Sequence, residues 1–481
     1  MVSTDIHPSV ESSHLMSAIS DAFVVGQVET LLNPLVVFVV GVALLVVLLL
    51  KMKLPAFVGL IVTTMFVGLI SPEVPFAEIA SQTAEDFGGV MTAIGIPILM
   101  AAIIGKTLMD SGAAQRIVRA FLSVTGEKRS EWALLSSGYV LSIPVFFDNV
   151  FYLLAPIARS MRARIGGSLA LFLVALTAGA GATHMFVPPT PGPLAAADSL
   201  DVDLGIAIMI GIPMALVTSI IAGIVYGRWI DKRMDIPLRD VMGTTEEDLM
   251  EAVEEDTENL PGLFEALLPI LLAVVLVASN TMLTTFAPGM EAAIAVTEFI
   301  GDPNFALTAA ALASAYTFWR FSDITTDTFS EELVTAIKDG GNIIAITAGG
   351  GAFGGMLAAA GVGEYIADIL AGIGIPLIVS AWLVAAMVRI AQGSGTVALL
   401  TAAGMMAPLA VDYGQHPVFL MMAIGSGAII FSWYNDSGFW IVSEMGGMTQ
   451  IETFKTWSAM CTIIAFVGLI TAWVFSIVIP L

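Results

Sequence analysis

The feature that limits this chain most is a pair of apolar runs set almost end to end. NPLVVFVVGVALLVVLLL (33–50) and LPAFVGLIVTTMFVGLI (54–70) are separated only by Lys51-Met52-Lys53. Each is long enough to cross a hydrocarbon core of about 30 Å as a helix. Without water, backbone groups must be satisfied internally, in helices or in a closed barrel, and neither run shows the alternation of a barrel strand. With 57% hydrophobic and 12% charged residues, the rest of the chain follows the same rule. The expected class is an all-α polytopic membrane protein.

The net charge of −23 must then sit in connections. Residues 240–258 alone carry nine carboxylates and no base, which reads as a solvated face. So much acid also fits a salt-rich habitat, where a short Debye length lowers the cost of crowded carboxylates. Cys461 is the single cysteine, so neither an intrachain disulfide nor a thiol metal site is expected. No HExxH, CxxC or Walker loop occurs, which leaves zinc chemistry and ATP-driven pumping without support. The glycine run GGGAFGG (349–355) lies in an apolar span and suits close helix packing. Residues 1–32 lack Lys and Arg, unlike the basic start of a cleaved signal peptide, so the first helix is expected to be retained.

Basic residues mark cytoplasmic connections. Lys51 and Lys53 place the first turn inside and residues 1–32 outside. The acidic segment 71–87 is then external, and a third crossing at about 89–109 returns to Arg116, Arg119, Lys128 and Arg129. The stretch 130–158 is basic at both ends and carries SIPVFFDN near its middle, which predicts a re-entrant hairpin with its tip near Pro144–Asn149. A broken helix follows at 166–197, interrupted at THMFVPPTPGP, and a further crossing reaches Arg228. The first membrane repeat is thus 33–228, with five crossings and one hairpin, followed by a cytoplasmic linker at 229–262.

An odd number of crossings inverts any second copy, and 263–481 reads as one. GKTLMDSGAAQRI (105–117) aligns without gaps to GGMLAAAGVGEYI (354–366), sharing Gly105/Gly354, Leu108/Leu357, Gly112/Gly361 and Ile117/Ile366. A second hairpin is expected at 375–412, interrupted at AQGSGTV, and a second broken helix at 417–443, interrupted at YNDSG. The last helix would leave the C-terminus outside, with the N-terminus. Broken helices at matching places in inverted halves point to the binding site of a secondary transporter.

Four interruptions meeting near the midplane define the candidate residues. Asn149, Thr183, Ser394, Gly395, Thr396, Asn435 and Ser437 offer hydroxyl, amide and backbone groups suited to a polyhydroxylated solute. Arg389 is an intramembrane cation able to hold a carboxylate by two parallel hydrogen bonds, or else to pair with Asp148 or Asp436. Asp148 and Asp436 would handle a coupling proton or cation, or cap their half-helices; His184 would relay a proton or hold the unwound backbone. Pro144, Pro188, Pro189, Pro191, Gly192, Pro193, Gly393 and Gly438 supply the broken backbone. Half-helix N-termini add a positive dipole end for an anion. Lys106, near a cytoplasmic helix end, reads as a snorkelling side chain.

The motifs IPVFFDNVFYLLAPIARSM, ATHMFVPPTPGPLAAA, RIAQGSGTVALLTAAG and NDSGFWIV resemble the gluconate permease family of proton-coupled symporters, in order and spacing from about residue 33 to the end. The resemblance implies proton-coupled uptake of gluconate, or a related sugar acid or short hydroxy acid, across the cell membrane. It implies a scaffold and a moving transport domain built from two opposed hairpins, within the wider ion transporter superfamily. The substrate is then a small anionic hydroxylated carboxylate, the other partner is the lipid bilayer, and no cofactor, metal or nucleic acid is expected. Sodium is the alternative coupling ion and a passive anion channel the alternative mechanism. A homodimer is expected on fold analogy alone.

Overall fold

The computed structural model describes residues 33–240 and 260–481, apart from 373 and 412. The expected external segment 1–32 and all but the first residue of the acidic stretch 240–258 lie outside the described residues.

Each apolar run becomes a helix whose ends follow local chemistry. Helix α1 (Pro34–Val46) starts with proline in its first turn, where the missing N–H is no loss, and with Asn33 Oδ1 accepting from Val36 N at 3.0 Å. Helix α2 (Ala56–Ile70) follows, then α3 (Ile79–Asp110), which has 32 residues and is about 48 Å long at 1.5 Å per residue. This exceeds the crossing expected at 89–109 and takes residues 79–87 from the segment read as an external connection. Those residues are polar but pair along the helix, with Thr83 Oγ1 donating to Ile79 O (2.7 Å) and Gln82 Nε2 to Asp86 Oδ1 (2.8 Å).

After α3 come α4 (Ala113–Thr125), α5 (Ser130–Leu141), α6 (Phe147–Ile165), α7 (Leu169–Phe186), α8 (Pro191–Ser199) and α9 (Leu204–Asp231). The later part holds α10 (Leu263–Phe286), α11 (Glu291–Ile300), α12 (Pro303–Phe321), α13 (Thr326–Ala359), α14 (Val362–Gly372), α15 (Leu377–Gln392), α16 (Gly395–Ala410), α17 (Val418–Ala428), α18 (Ser437–Met445) and α19 (Gln450–Val478). There is no strand among the described residues.

Helices α3, α9, α10, α13, α19 and the broken pair α7–α8 are long and apolar enough to cross a membrane. Helix α5, with 12 residues, is about 18 Å long, shorter than a hydrocarbon core of about 30 Å. Both halves place a long helix, a short amphipathic helix, a helix pair, a broken helix and a final span in the same order. The aligned Gly112 and Gly361 occupy the same structural position: each follows a long helix in the left-handed region, at φ 73° and 68°.

Packing sorts the helices. The broken helices are central: α17 is buried at every position, and α7 at every position but Leu171 and His184. Close approach depends on glycine. A Cβ on Gly179 of α7 would fall 2.2 Å from Leu135 O of α5, and one on Gly427 of α17 would fall 2.2 Å from Trp382 O of α15. The glycine run of α13 packs as expected, Gly354 lying against the α16 backbone at Thr401. Val39, Leu69, Val275, Leu312, Ile470 and Val474 are exposed, as suits a surface whose solvent is lipid.

Candidate functional site

The second hairpin and the second broken helix form one interlocked unit. Helix α15 closes on Gly393, whose N–H donates to Arg389 O at 2.9 Å and whose φ of 93° excludes most side chains. A Cβ there would also fall 2.1 Å from Asn435 O. Ser394 caps α16 by accepting from Val397 N (3.3 Å), while Gln392 accepts from Ser394 N (2.9 Å) and donates to Ser394 O. From the broken helix, Asn435 Nδ2 donates to Ile390 O (2.9 Å) and Ala391 O (3.2 Å), and Trp433 Nε1 donates to Ile390 O (3.0 Å). The carbonyls released at the end of α15 are therefore satisfied by the segment that interrupts α17 and α18.

Asp436 caps α18, with Oδ1 accepting from Gly438 N at 3.0 Å. Its Oδ2 accepts from Ser432 Oγ and from Arg389 Nη2. This ion pair is nearly sealed, the two side chains being 4% and 9% exposed, so it gains Coulomb energy at low dielectric but carries a large desolvation cost. Trp457 of α19 donates to Ser432 Oγ, and Ser458 Oγ donates to Ser432 O. Among the described residues, Arg389 Nε and Nη1 have no hydrogen-bond partner, nor has Asn435 Oδ1. A guanidinium carries five N–H donors, so this buried cation has spare capacity next to its carboxylate.

The first hairpin turns through Ser142–Phe146, including the buried Pro144, and α6 begins with Phe147 and Asp148. The N-cap position Phe146 makes no side-chain cap bond, so Asp148 acts from within the first turn. It lies within electrostatic range of Asp436, and the neighbouring Phe147 ring packs on Trp457 with centroids 4.9 Å apart. Asn149 is exposed on the other side of that turn, away from the buried groups.

The first broken helix is interrupted over a shorter stretch than the proline run suggests. Pro188 and Pro189 lie in the break, but Pro191, Gly192 and Pro193 form the first turn of α8 rather than broken backbone. Proline is tolerated there because first-turn N–H groups have no intrahelical acceptor. Gly438 likewise belongs to the first turn of α18. Thr190 Oγ1 satisfies the freed carbonyls of Val187 (2.7 Å) and His184 (3.1 Å). Among the described residues, Thr183 Oγ1, His184 Nδ1 and, on the first hairpin, Ser142 Oγ are buried without hydrogen-bond partners.

Glycines bring the breaks together. A Cβ on Gly192 would lie 3.7 Å from Thr396 Cγ2, and one on Gly395 would lie 3.3 Å from both Met185 Sδ and Ala428 O. Gly393, Arg389, Asn435, Asp436, Ser437 and Gly438 thus share one cluster, Gly395 and Thr396 touch the first broken helix, and Asp148 lies within electrostatic range of Asp436. Trp457, Ser432, Ser142 and Gln392 were missed from sequence. Gln392 lies within the AQGSGTV interruption and Ser142 opens SIPVFFDN, so both were within reach, whereas Ser432 and Trp457 fall outside the quoted interruptions and carry no local signal. Lys106 is more than a snorkelling side chain: it pairs with Asp110 (2.6 Å) and with Glu332 of α13 (2.8 Å).

Comparison with known proteins identifies the family and the fold. Residues 33–478 match the family model of the GntP family permease. The chain is 36% identical over 438 residues to a gluconate permease of Pseudomonas aeruginosa, covering 90% of this chain and 95% of that one. It is 34% identical over 446 residues to a high-affinity gluconate transporter of Escherichia coli, covering 93% and 100%. It is 31% identical to the Gnt-II system L-idonate transporter of Escherichia coli, covering 91% and 98%. In fold it is similar to MtrF of Neisseria gonorrhoeae, with TM-score 0.59 and 16% identity over 88% of this chain and 95% of that one. It is also similar to the YdaH transporter of Alcanivorax borkumensis, with TM-score 0.54 and 14% identity over 83% and 87%. With nearly the whole described chain accounted for, this integral membrane protein belongs to the GntP permease family.

Proposed function

We propose that the protein imports gluconate, or a closely related sugar acid, across the cell membrane by proton symport with alternating access. The single observation that carries this reading is the buried Arg389, which has one carboxylate partner and two unpaired donors at the junction of a hairpin and a broken helix. Buried polar groups are normally satisfied, so unpaired donors on a cation at that place suit an anionic ligand. The partnerless Asn435 Oδ1, Thr183 Oγ1, His184 Nδ1 and Ser142 Oγ around the same breaks suit the hydroxyls of a sugar acid. Relatives at 31–36% identity are named for gluconate and L-idonate, which favours this substrate class.

In this reading the two halves are inserted in opposite senses with both termini outside, and the four breaks move together past the remaining helices. Ser394, Gly395, Thr396, Asn435, Ser437 and Thr183 hold the substrate with Arg389, while the exposed Asn149 lies outside this set. Asp148, Asp436 and His184 serve coupling. The test is labelled-gluconate uptake into proteoliposomes with pH and sodium gradients imposed separately. Accumulation on the pH gradient alone supports the proposal. Accumulation that requires sodium reassigns the coupling ion, and equilibration without accumulation points to a channel.

A further inference from the structure

We infer that the Arg389–Asp436 pair is an exchange element, in which the incoming carboxylate takes over the guanidinium and Asp436, relieved of its cation, takes the co-transported proton. The inference rests on the functional reading above and assigns the coupling step within it.

The first argument is geometric. A carboxylate gains a two-point hold on a guanidinium along either the Nε/Nη2 or the Nη1/Nη2 edge. Both edges pass through Nη2, the nitrogen that Asp436 holds, while Nε and Nη1 are the unpaired donors. Whichever edge the substrate uses, its carboxylate arrives beside Asp436. Two buried carboxylates would then share one cation. Like charges so placed cannot both stay ionised, and a proton restores neutrality.

The second argument concerns which carboxylate keeps the proton. The groups that face Asp436 are Arg389 from α15, Asp148 from the first turn of α6, Cys461 and Trp457 from α19, and Ser432 from its own break. Asp148 contributes a second negative charge nearby, so a proton at Asp436 relieves two repulsions. Once protonated, Asp436 donates to Ser432 Oγ through Oδ2, and Ser432 is held in place by Trp457. Oδ1 keeps its bond from Gly438 N, so α18 retains its cap throughout. The exchange therefore needs no unfolding of the half-helix.

The balance closes. Apart from Asp148, which is the same in both states, the empty site holds one cation and one anion. The loaded site holds the same guanidinium, the substrate carboxylate and a neutral carboxylic acid; one anion and one proton have entered and no bond to carbon has changed. Empty and loaded sites carry equal charge, so neither direction of the cycle works against the membrane potential.

The experiment is calorimetric titration of gluconate into the purified full-length protein in two buffers of different ionisation enthalpy. The expected result is uptake of about one proton per gluconate bound, with affinity falling roughly tenfold per pH unit across the coupled range. Asp436→Asn should bind with no proton uptake and no pH dependence. Should that variant fail to fold, the wild-type proton count still decides, together with accumulation in proteoliposomes given a membrane potential and no pH gradient, which should be nil. Binding without proton uptake, proton uptake that survives in Asp436→Asn, or potential-driven accumulation would overturn the exchange while leaving gluconate transport intact. Absence of gluconate binding in the wild type would overturn the substrate reading and the exchange with it.

Discussion

Replacing Gly179 by alanine tests whether the arms of the site are fixed by direct backbone contact. The new Cβ would lie 2.2 Å from Leu135 O and 3.0 Å from Tyr139 N, both main-chain atoms of α5 that no rotamer change can move. Restoring an ordinary separation of about 3.5 Å requires α5 to retreat by roughly 1 Å. Overpacking of this kind costs about 1–3 kcal/mol. Alanine also returns about 0.5–1 kcal/mol of helix propensity, which blurs a single measurement. Gly181→Ala removes that ambiguity. It lies on the same helix two residues on, where a Cβ would meet Ile429 Cδ1 at 3.5 Å, an ordinary contact. The propensity gain cancels between the two variants, so their difference of about 1–3 kcal/mol reports the contact alone. Thermal denaturation in detergent measures stability. Gluconate uptake measures the consequence, expected to fall at least about tenfold in Gly179→Ala because binding geometry must hold within about 0.5 Å. If Gly179→Ala proved as stable and as active as Gly181→Ala, α5 would not be registered against α7 by this contact.

Three further outcomes follow from the same structure. Arg389→Lys keeps a cation beside Asp436 but loses the planar fork, so uptake should fall more than about tenfold with little change in melting temperature; Arg389→Met leaves Asp436 buried without its cation and should lose about 3–5 kcal/mol in the same melting assay. Gly393→Ala combines a φ of 93° with a Cβ 2.1 Å from Asn435 O, and should be far more damaging to folding yield and uptake than Gly414→Ala, where φ is 74° and nothing lies within 4 Å. Arg239 makes a two-point contact with Glu452 at 2.7 and 2.9 Å and donates to Gly447 O, but its side chain is 35% exposed. Arg239→Gln should therefore cost no more than about 1 kcal/mol in low salt, and the difference from wild type should shrink in 1 M salt.

Most of the helices were legible because lipid imposes one rule on every segment: an apolar run must hydrogen-bond to itself, and a polar break must be buried in protein. That rule placed α1 and α2, and the interruptions at SIPVFFDN, THMFVPPTPGP, AQGSGTV and YNDSG, from the residues alone. The aligned Gly112 and Gly361 were visible for a local reason too, since each ends a long helix in a conformation that favours glycine. Helix limits were less legible where local pairs extend a helix into polar sequence, as at residues 79–87, and where prolines open a helix instead of breaking it, as at Pro191 and Pro193.

The sequence by itself determined that the chain lies in a membrane, where its backbone breaks, and which ionisable groups sit at the breaks, because each of these follows from local composition and hydrogen-bonding need. Tertiary structure alone decided which groups meet. Arg389 and Asp436 stand 47 positions apart, Trp457 touches both Phe147 and Ser432, and Asn149 points away although it adjoins Asp148. Such partnerships depend on how helices cross and on glycines thin enough to admit a neighbouring backbone, and crossing geometry leaves no periodicity in the residues on either side.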